Sequence, residues 1–528
     1  MRRIDDCRQT LLIDPFDYLG PKRKTLLESG WADLFQKSLL EKIPVNEIKA
    51  CFHDRIGRPT KELRTMLGVL LLQYMFDLTD EETVHQLAFN AEWHYALNLS
   101  WEDDDTKYLS ERTLRTYRSL VMEQEIDSLL FRLLTDALLD KLKLSTKKQR
   151  LDSTHIRSAM RRLSRLELFR RTMEKFLKVM RREHARLLKK SVAEELVERY
   201  LGKKKGYFSQ VKPSEAKEAL KQAAEDLLTL VETFRTHNKI SGMVVFKLMQ
   251  RVLNEQCNVS GEGEAAKVEI KDPKDVSSGS LQNPSDEDAA YSGHKGEGYQ
   301  VQLMETYQEE KSEEKSAPPN LITYIHVEPA NVSDSDAPPR AIEETKKRGC
   351  APEELLADSM YGSDDNVSKA AKEGVNLIAP TMGKPKSKET QLVLDDFTVD
   401  EATGEVTSCP GGAAPCAIRK IKDDGLKIYF DPATCQDCDH RDYCCVGLDG
   451  GHKLEYTPKQ RRLAQRRVAE ESEEFREKYR WRSGIEAVNA KLKRMMGQGR
   501  LRVRGRARVR LAVTLKALGW NIFQAARA

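Results

Sequence analysis

Apolar positions recur at three- and four-residue intervals through most of this chain and alternate with polar ones in only a few short runs. That pattern predicts many helices and a small number of strands. Met66, Leu67, Val69, Leu70, Leu71 and Tyr74 mark an apolar helix after Arg58-Pro-Thr-Lys, and Thr79-Asp-Glu-Glu82 supplies a capping box for the next. A further helix begins near Ser110. Between Arg157 and Lys190, Met160, Leu163, Leu166, Phe169, Met173, Phe176, Leu177 and Met180 trace a long amphipathic helix. A second helical region, about 213–252, is expected to pack against it as a hairpin. Strand-like runs occupy 149–156, 298–306, 321–327, 355–358 and 375–379, and Ser363-Asp-Asp-Asn reads as a helix start, with Asp364 and Asp365 as first-turn acids. Leu511 to Ala525 reads as a closing apolar helix that docks on the core.

These runs divide the chain. Residues 1–125 form an N-terminal helical domain, while 145–156 and 297–525 carry the strands of an α+β or α/β core. Residues 157–255 are a helical basic insertion. The stretch 256–296, with Gly-Glu-Gly-Glu, Asp-Pro-Lys-Asp and Asn-Pro-Ser-Asp, reads as a polar linker, and 405–450 is a cysteine-rich insertion. A shorter polar interruption lies at 308–319.

Composition narrows the class. The chain has 528 residues, 39% hydrophobic and 32% charged, which is enough for two or three charge-rich domains. No apolar run approaches the roughly 20 residues that cross a bilayer, and the first residues lack a secretory signal, so a cytoplasmic protein is expected. A net charge of +5 says little about partners, whereas its distribution says more. Thirteen Lys or Arg stand against three Glu from Arg157 to Lys190, which suits that segment to DNA; the rival reading makes its apolar stripe a dimer seam. Arginine fills every second position from 500 to 510, and in an extended segment Arg502, Arg504, Arg506 and their neighbours would line one side as a rail for phosphates.

The stretch Tyr479-Arg-Trp-Arg482-Ser-Gly-Ile-Glu486-Ala-Val-Asn-Ala-Lys-Leu-Lys493 carries the candidate chemistry. At about 100° per residue, Tyr479, Arg482, Glu486 and Lys493 fall within a sector of roughly 60°, and Trp481, Ile485, Val488, Leu492 and Met495 lie on a separate arc. A solvated face with i,i+4 support, or a capping box from Ser483 to Glu486, accounts for the same residues without chemistry. Two upstream aspartates have related contexts. Asp152 is central to the β-compatible run Gln149-Arg-Leu-Asp-Ser-Thr-His-Ile156, and Asp358 ends the apolar run Leu355-Leu-Ala-Asp358 before a Tyr-Gly-Ser turn. Each alone reads equally well as a turn or helix cap.

The spacing Tyr-x2-Arg-x3-Glu-x6-Lys resembles the signature of bacterial insertion-sequence transposases of the DDE class. The resemblance implies a ribonuclease-H-like catalytic core in which Asp152, Asp358 and Glu486 hold two magnesium or manganese ions. Arg482, Lys493 and Tyr479 would then lie on DNA. It further implies that the segment 55–121, with Arg112, Arg115 and Arg118, belongs to the domain that binds the element's terminal inverted repeats. Double-stranded DNA is the expected partner, with a homodimer in the synaptic complex and nucleoid association when bound. Sparse oxygen ligands suit magnesium better than zinc, and paired ions suit phosphodiester cleavage. The competing readings are a catalytically silent, transposase-derived DNA-binding protein containing zinc, and a metal-dependent nuclease without strand transfer. The separation of 206 positions from Asp152 to Asp358 departs from a minimal core.

Six of ten cysteines lie between 409 and 445. Cys435-x2-Cys438-x5-Cys444 has the tight spacing of a thiolate chelate, and Cys409 in a Cys-Pro-Gly-Gly turn is the fourth candidate for a structural zinc ion.

Overall fold

The computed structural model describes residues 3–4, 14–53, 56–57, 59–99, 104–202, 215–261, 263–309, 318–382, 391–400, 402–446 and 452–528. Arg58 and most of the 308–319 interruption fall outside them. The protein is a mixed α+β molecule with an N-terminal helical region.

Helix α1 (Leu63–Met75) starts where the Glu62 carboxylate accepts from the amides of Arg64 and Thr65, and nearly every residue in it is buried. Thr79 and Glu82 form the anticipated capping box of α2 (Asp80–Phe89), and the Ser110 hydroxyl caps α3 (Glu111–Glu123). Helix α4 (Ile126–Leu142) leads into strand β1 (Lys148–Ile156). The chain then leaves the core for helices α5 (Arg165–Glu183), α6 (Ala216–Phe234) and α7 (Val244–Gln256). It returns as β2 (Gly296–Thr306) and β3 (Ile322–Pro329), followed by helix α8 (Ala337–Lys347), β4 (Glu354–Leu356), helix α9 (Asp364–Lys372) and β5 (Asn376–Ile378). Helices α10 (Pro458–Glu470), α11 (Ile485–Met495) and α12 (Arg506–Ala525) complete the core.

The main sheet runs β3-β2-β1-β4-β5. The first three strands are antiparallel and the last two parallel to β1, with Asp152 opposite Leu303 and Arg150 beside Leu356. Successive β1 side chains serve opposite faces. Leu151 packs with Ile342, Leu355 and Ala370 beneath α8 and α9, whereas Ile156 joins Ile485, Leu492 and Leu515 on the side of α11 and α12.

Helix α12 unites the halves of the protein. It packs on α1, α4 and β3, and at Gly519 a Cβ would stand 3.1 Å from the Met75 Cα, so only glycine permits so close a crossing. Asn521 pairs through both ends of its carboxamide with the Ile322 backbone, at 2.8 Å each way. At the start of α12 the arginine alternation changes character. Residues 499–503 run beside 157–159, with Arg157 N to Gly499 O at 2.7 Å and Ala159 N to Val503 O at 2.8 Å. Gly505, at φ 82°, turns the chain into the helix. The expected continuous rail therefore ends at Arg504. Arg510 faces inward, 3.0 Å from the fully buried Asp127 carboxylate.

The insertion is a unit with its own core. Phe169, Met173, Phe176 and Met180 of α5 are covered by Leu227, Leu230 and Phe234 of α6 and by Phe246 and Met249 of α7. That burial removes the stripe from any seam between subunits. Residues 256–296 are structured too. A hairpin pairs Cys257–Ser260 with Lys267–Ile270, and Ala290–Ser292 adds to β2. Part of this segment is tied to the insertion: the Arg165 guanidinium donates to Gln256 and to the Lys271 carbonyl at 2.7–2.8 Å. The cysteine-rich region sits in a small β unit reaching from Thr398 to Tyr456, broader than 405–450, around Phe397, Ile428 and Phe430.

Breaking the Arg510 pair strands a buried charge. Burial lifts Asp127 above the ordinary carboxylate range while Arg510 opposes it. Arg510→Met is expected to lower stability by about 3–5 kcal/mol in urea unfolding, with Asp127→Asn/Arg510→Met recovering much of the loss.

Candidate active site

Asp152 occupies the middle of β1 and is 8% exposed. Its Oδ1 accepts from the Ser153 amide at 2.8 Å, and its Oδ2 accepts from Asn489 Nδ2 at 3.0 Å. Asp358 lies just past β4, where its carboxylate caps a single 3-10 turn by accepting from the Met360 amide at 2.7 Å. The following Gly362 has no room for a side chain, since a Cβ would meet the Pro380 carbonyl oxygen at 2.1 Å. Glu486 projects from the first turn of α11, largely exposed. Asp364 and Asp365 are first-turn acids of α9, capped by Ser363, and Arg462 holds Asp364 at 3.1 and 2.7 Å.

One side chain joins the three candidate acids. The Arg482 guanidinium lies 3.4 Å from Asp152 Oδ2, 3.9 Å from Asp358 Oδ2 and 3.0 Å from Glu486 Oε1. Among the described residues no group of three or more His, Cys, Asp or Glu side chains is drawn together closely enough to hold a metal ion; here the carboxylates converge on the arginine instead.

The helical stretch carrying Arg482 is not one uniform helix. Arg480–Gly484 tightens into a 3-10 segment before α11 begins, so Ser483 has no helix end to cap and its hydroxyl donates to the Arg480 carbonyl at 2.9 Å. The alternative of a Ser483–Glu486 capping box is therefore absent, while the i,i+4 contact from Arg482 to Glu486 is present. A buried clamp fixes the segment to β1. Arg150 donates to Glu305 at 2.7 Å and to the Trp481 carbonyl at 2.7 Å. Gly484 makes the approach possible, because a Cβ there would fall 2.0 Å from Arg150 Nη1. Tyr479 stacks on Phe475 with ring centroids 5.4 Å apart, and with Trp481 it packs near Tyr307, Leu356 and Ile378.

Burial raises Asp152 above the usual carboxylate range; Arg482 opposes the shift, and Asp358 and Asp334 add to it. Burial also brings His155 down to about 4, helped by Arg157, Lys295 and Lys493, which places Lys493 near the same strand. Lys295 donates to Ser153 Oγ at 3.0 Å and faces Asp334 at 3.4 Å. Asn489, Lys295 and Asp334 were not singled out from sequence. Asn489 was the most accessible of them, falling about 20° from Arg482 on the same helical wheel.

The other candidates lie elsewhere. Arg118 is bound to Asp80 and, at 2.9 Å, to Gln73; Arg115 pairs with Asp80 and Glu111, bracing α3 against α2, while Arg112 is exposed. Arg502, Arg504 and Arg506 are exposed, with Arg502 3.3 Å from Asp77 and the Arg506 amide 2.9 Å from Asp288. Cys409, Cys435, Cys438 and Cys444 line one cavity of about 30 Å³ together with His440 and Phe430. A hydrogen bond from Cys445 leads the causes that bring the Cys444 thiol down to about 6.

Residues 408–526 match the family model described as a transposase DDE domain, and residues 32–120 match a transposase domain, DUF772. The two matches together support an insertion-sequence DDE transposase. The first match includes Tyr479, Arg482, Glu486, Lys493 and the cysteines, and the second includes Arg112, Arg115 and Arg118; Asp152 and Asp358 lie outside both. Neither the curated proteins nor the solved structures provide a match. No helix among the described residues is long and apolar enough to cross a membrane.

The clamp beneath the site is pH-sensitive. Burial pushes Glu305 up to about 7 despite Arg150 beside it. A carboxyl whose folded pKa exceeds its unfolded value contributes stability below the unfolded value, and that contribution fades as pH rises through about 7. Between pH 5 and 7 the urea midpoint of Glu305→Gln should therefore rise relative to that of wild type, since the depressed His155 is common to both. A difference between the two proteins that does not change with pH would exclude Glu305 as its source.

Proposed function

We propose that the protein binds the terminal inverted repeats of its element and, with two divalent cations, cleaves and rejoins DNA strands. The observation that carries this reading is the meeting of three acids from three distant segments around one guanidinium. The sheet supports it: the order β3-β2-β1-β4-β5, antiparallel then parallel, resembles a ribonuclease-H-like core with the first acid on its central strand.

The donor set fits hard divalent cations. Three carboxylates supply only oxygen, and they already share one positive charge. Asp152 would hold both ions, and Asp358 and Glu486 one each. Bound there, the cations supply an activated water or 3′-hydroxyl and neutralise the leaving oxygen. The chain's own part is to position. Asp152 is fixed by the sheet and Asp358 by its turn, while Glu486 rides on α11, whose place is set by the Arg150 clamp. Arg482 transfers from the carboxylates to DNA phosphates, and Lys493 holds a phosphate beside it. Exposed arginines at 112, 502, 504 and 506 and on the insertion's basic face add sequence-independent contacts. Two copies would synapse the element's ends.

Asp152→Ala, Asp358→Ala and Glu486→Ala should each reduce cleavage of end DNA by about 10³-fold or more. Binding to the same DNA in chelator should stay within about twofold, since no phosphate contact is removed. Cleavage by any variant at the wild-type rate would remove that residue from the site. Joined product in the same assay distinguishes a transposase from a nuclease, and a wild-type protein that binds but never cleaves would be the silent derivative.

A structural zinc ion held by Cys409, Cys435, Cys438 and Cys444 is proposed from their spacing and their shared cavity, and binding would have to draw the four thiols closer than they stand here. Protein purified reduced should carry about one equivalent, and chelation should loosen the small β unit before it affects the carboxylates, because such a site contributes folding energy directly. Zinc-free protein with an unchanged thermal transition would refute it.

A further inference from the structure

Asn489 stands one turn beyond Glu486 on α11, where its neighbours Ile485, Val488 and Leu492 are apolar and buried. It is itself only 9% exposed. Its Nδ2 donates to Asp152 Oδ2 at 3.0 Å, yet its Oδ1 is buried without a hydrogen-bond partner. An unmet acceptor in such a place is costly, so packing alone favours an apolar side chain here. What the amide provides is its bond to Asp152.

Asp152 Oδ2 has two neighbours of different kinds. Arg482, 3.4 Å away, is a cation that competes with any metal for the same oxygen and must withdraw. Asn489 is neutral and need not. We infer that Asn489 is the positioning residue for Asp152: its carboxamide fixes the rotamer of the central carboxylate, so that the oxygens reach the cations without reorganisation once Arg482 has moved. The inference rests on the metal-dependent reading above. It adds a residue of α11 that acts through Asp152 rather than on DNA.

Metal binding is tested first, on the 528-residue chain without DNA. Manganese binding is followed by electron paramagnetic resonance for wild type, Asn489→Leu and Asn489→Ala, with Asp152→Asn as reference. Leucine keeps the volume and loses the donor; alanine only removes atoms, so a folding defect in one leaves the other readable. Loss of an outer hydrogen bond to a metal ligand typically weakens affinity about 10–100-fold, and both variants are expected in that range. Their cleavage should recover at saturating manganese, with thermal midpoints in chelator near the wild-type value and unchanged DNA binding. Wild-type manganese affinity in folded variants would overturn the inference. If Asp152→Asn also bound manganese like wild type, the carboxylate reading itself would fail. If Asp152→Asn alone lost it, only the role of Asn489 would.

Discussion

Three carboxylates gathered in a partly buried site repel one another and lose hydration, so they stay together only around positive charge. In this chain that charge is the Arg482 guanidinium, 3.0–3.9 Å from an oxygen of each. Much of the surrounding architecture serves to put it there. The 3-10 turn before α11 aims Arg482 inward, Gly484 lets that turn press against β1, and Arg150 ties the Trp481 carbonyl to the strand that carries Asp152. The first acid and the segment bearing the last one are thus referenced to one strand, two residues apart. Asp358 enters from the neighbouring parallel strand.

The sequence was most legible where a local pattern coincided with a local cause. The capping box at Thr79, the first-turn acids after Ser363 and the five core strands were each readable from nearby residues, and each formed. The three acids were legible through resemblance to a family signature, and the structure brings their carboxylates together around Arg482. What could not be read depended on distant partners. Nothing near Ser483 announces that the preceding helix continues into it and leaves no end to cap. The arginine alternation through 510 obeys a two-residue period, but Val509, Leu511, Ala512 and Leu515 need a helical face against α1 and α4, and that burial wins beyond Gly505. Residues 256–296 looked solvated because their polar partners, such as Arg165, are far off in sequence. Asn489 was passed over because a lone asparagine between a polar and an apolar arc has no meaning until Asp152 is placed opposite it.

The separate cores explain how so large a chain keeps one site intact. The insertion buries its aromatic residues among its own helices, and the cysteine-rich unit closes around Phe397 and Phe430. Neither contributes an acid. The N-terminal helices, in contrast, share a continuous core with α11 and α12, and the Arg510–Asp127 pair crosses that shared layer. The region matched by the N-terminal transposase model is thereby mechanically continuous with the helix that bears Glu486.

The insertion leaves the sheet after Ile156 and returns to pair Tyr299 with that same residue. The most central strand pairing of the protein is therefore also one of its most distant in sequence, separated by roughly 140 residues, and closing so long a loop from an unfolded chain is slow. A helical unit with short-range contacts and an independent core folds faster than that closure. Once formed, it holds its two ends as neighbours and turns a remote pairing into a local hairpin. In the folded protein the insertion's own core thus serves to keep two strands far apart in sequence beside each other at the strand that bears Asp152.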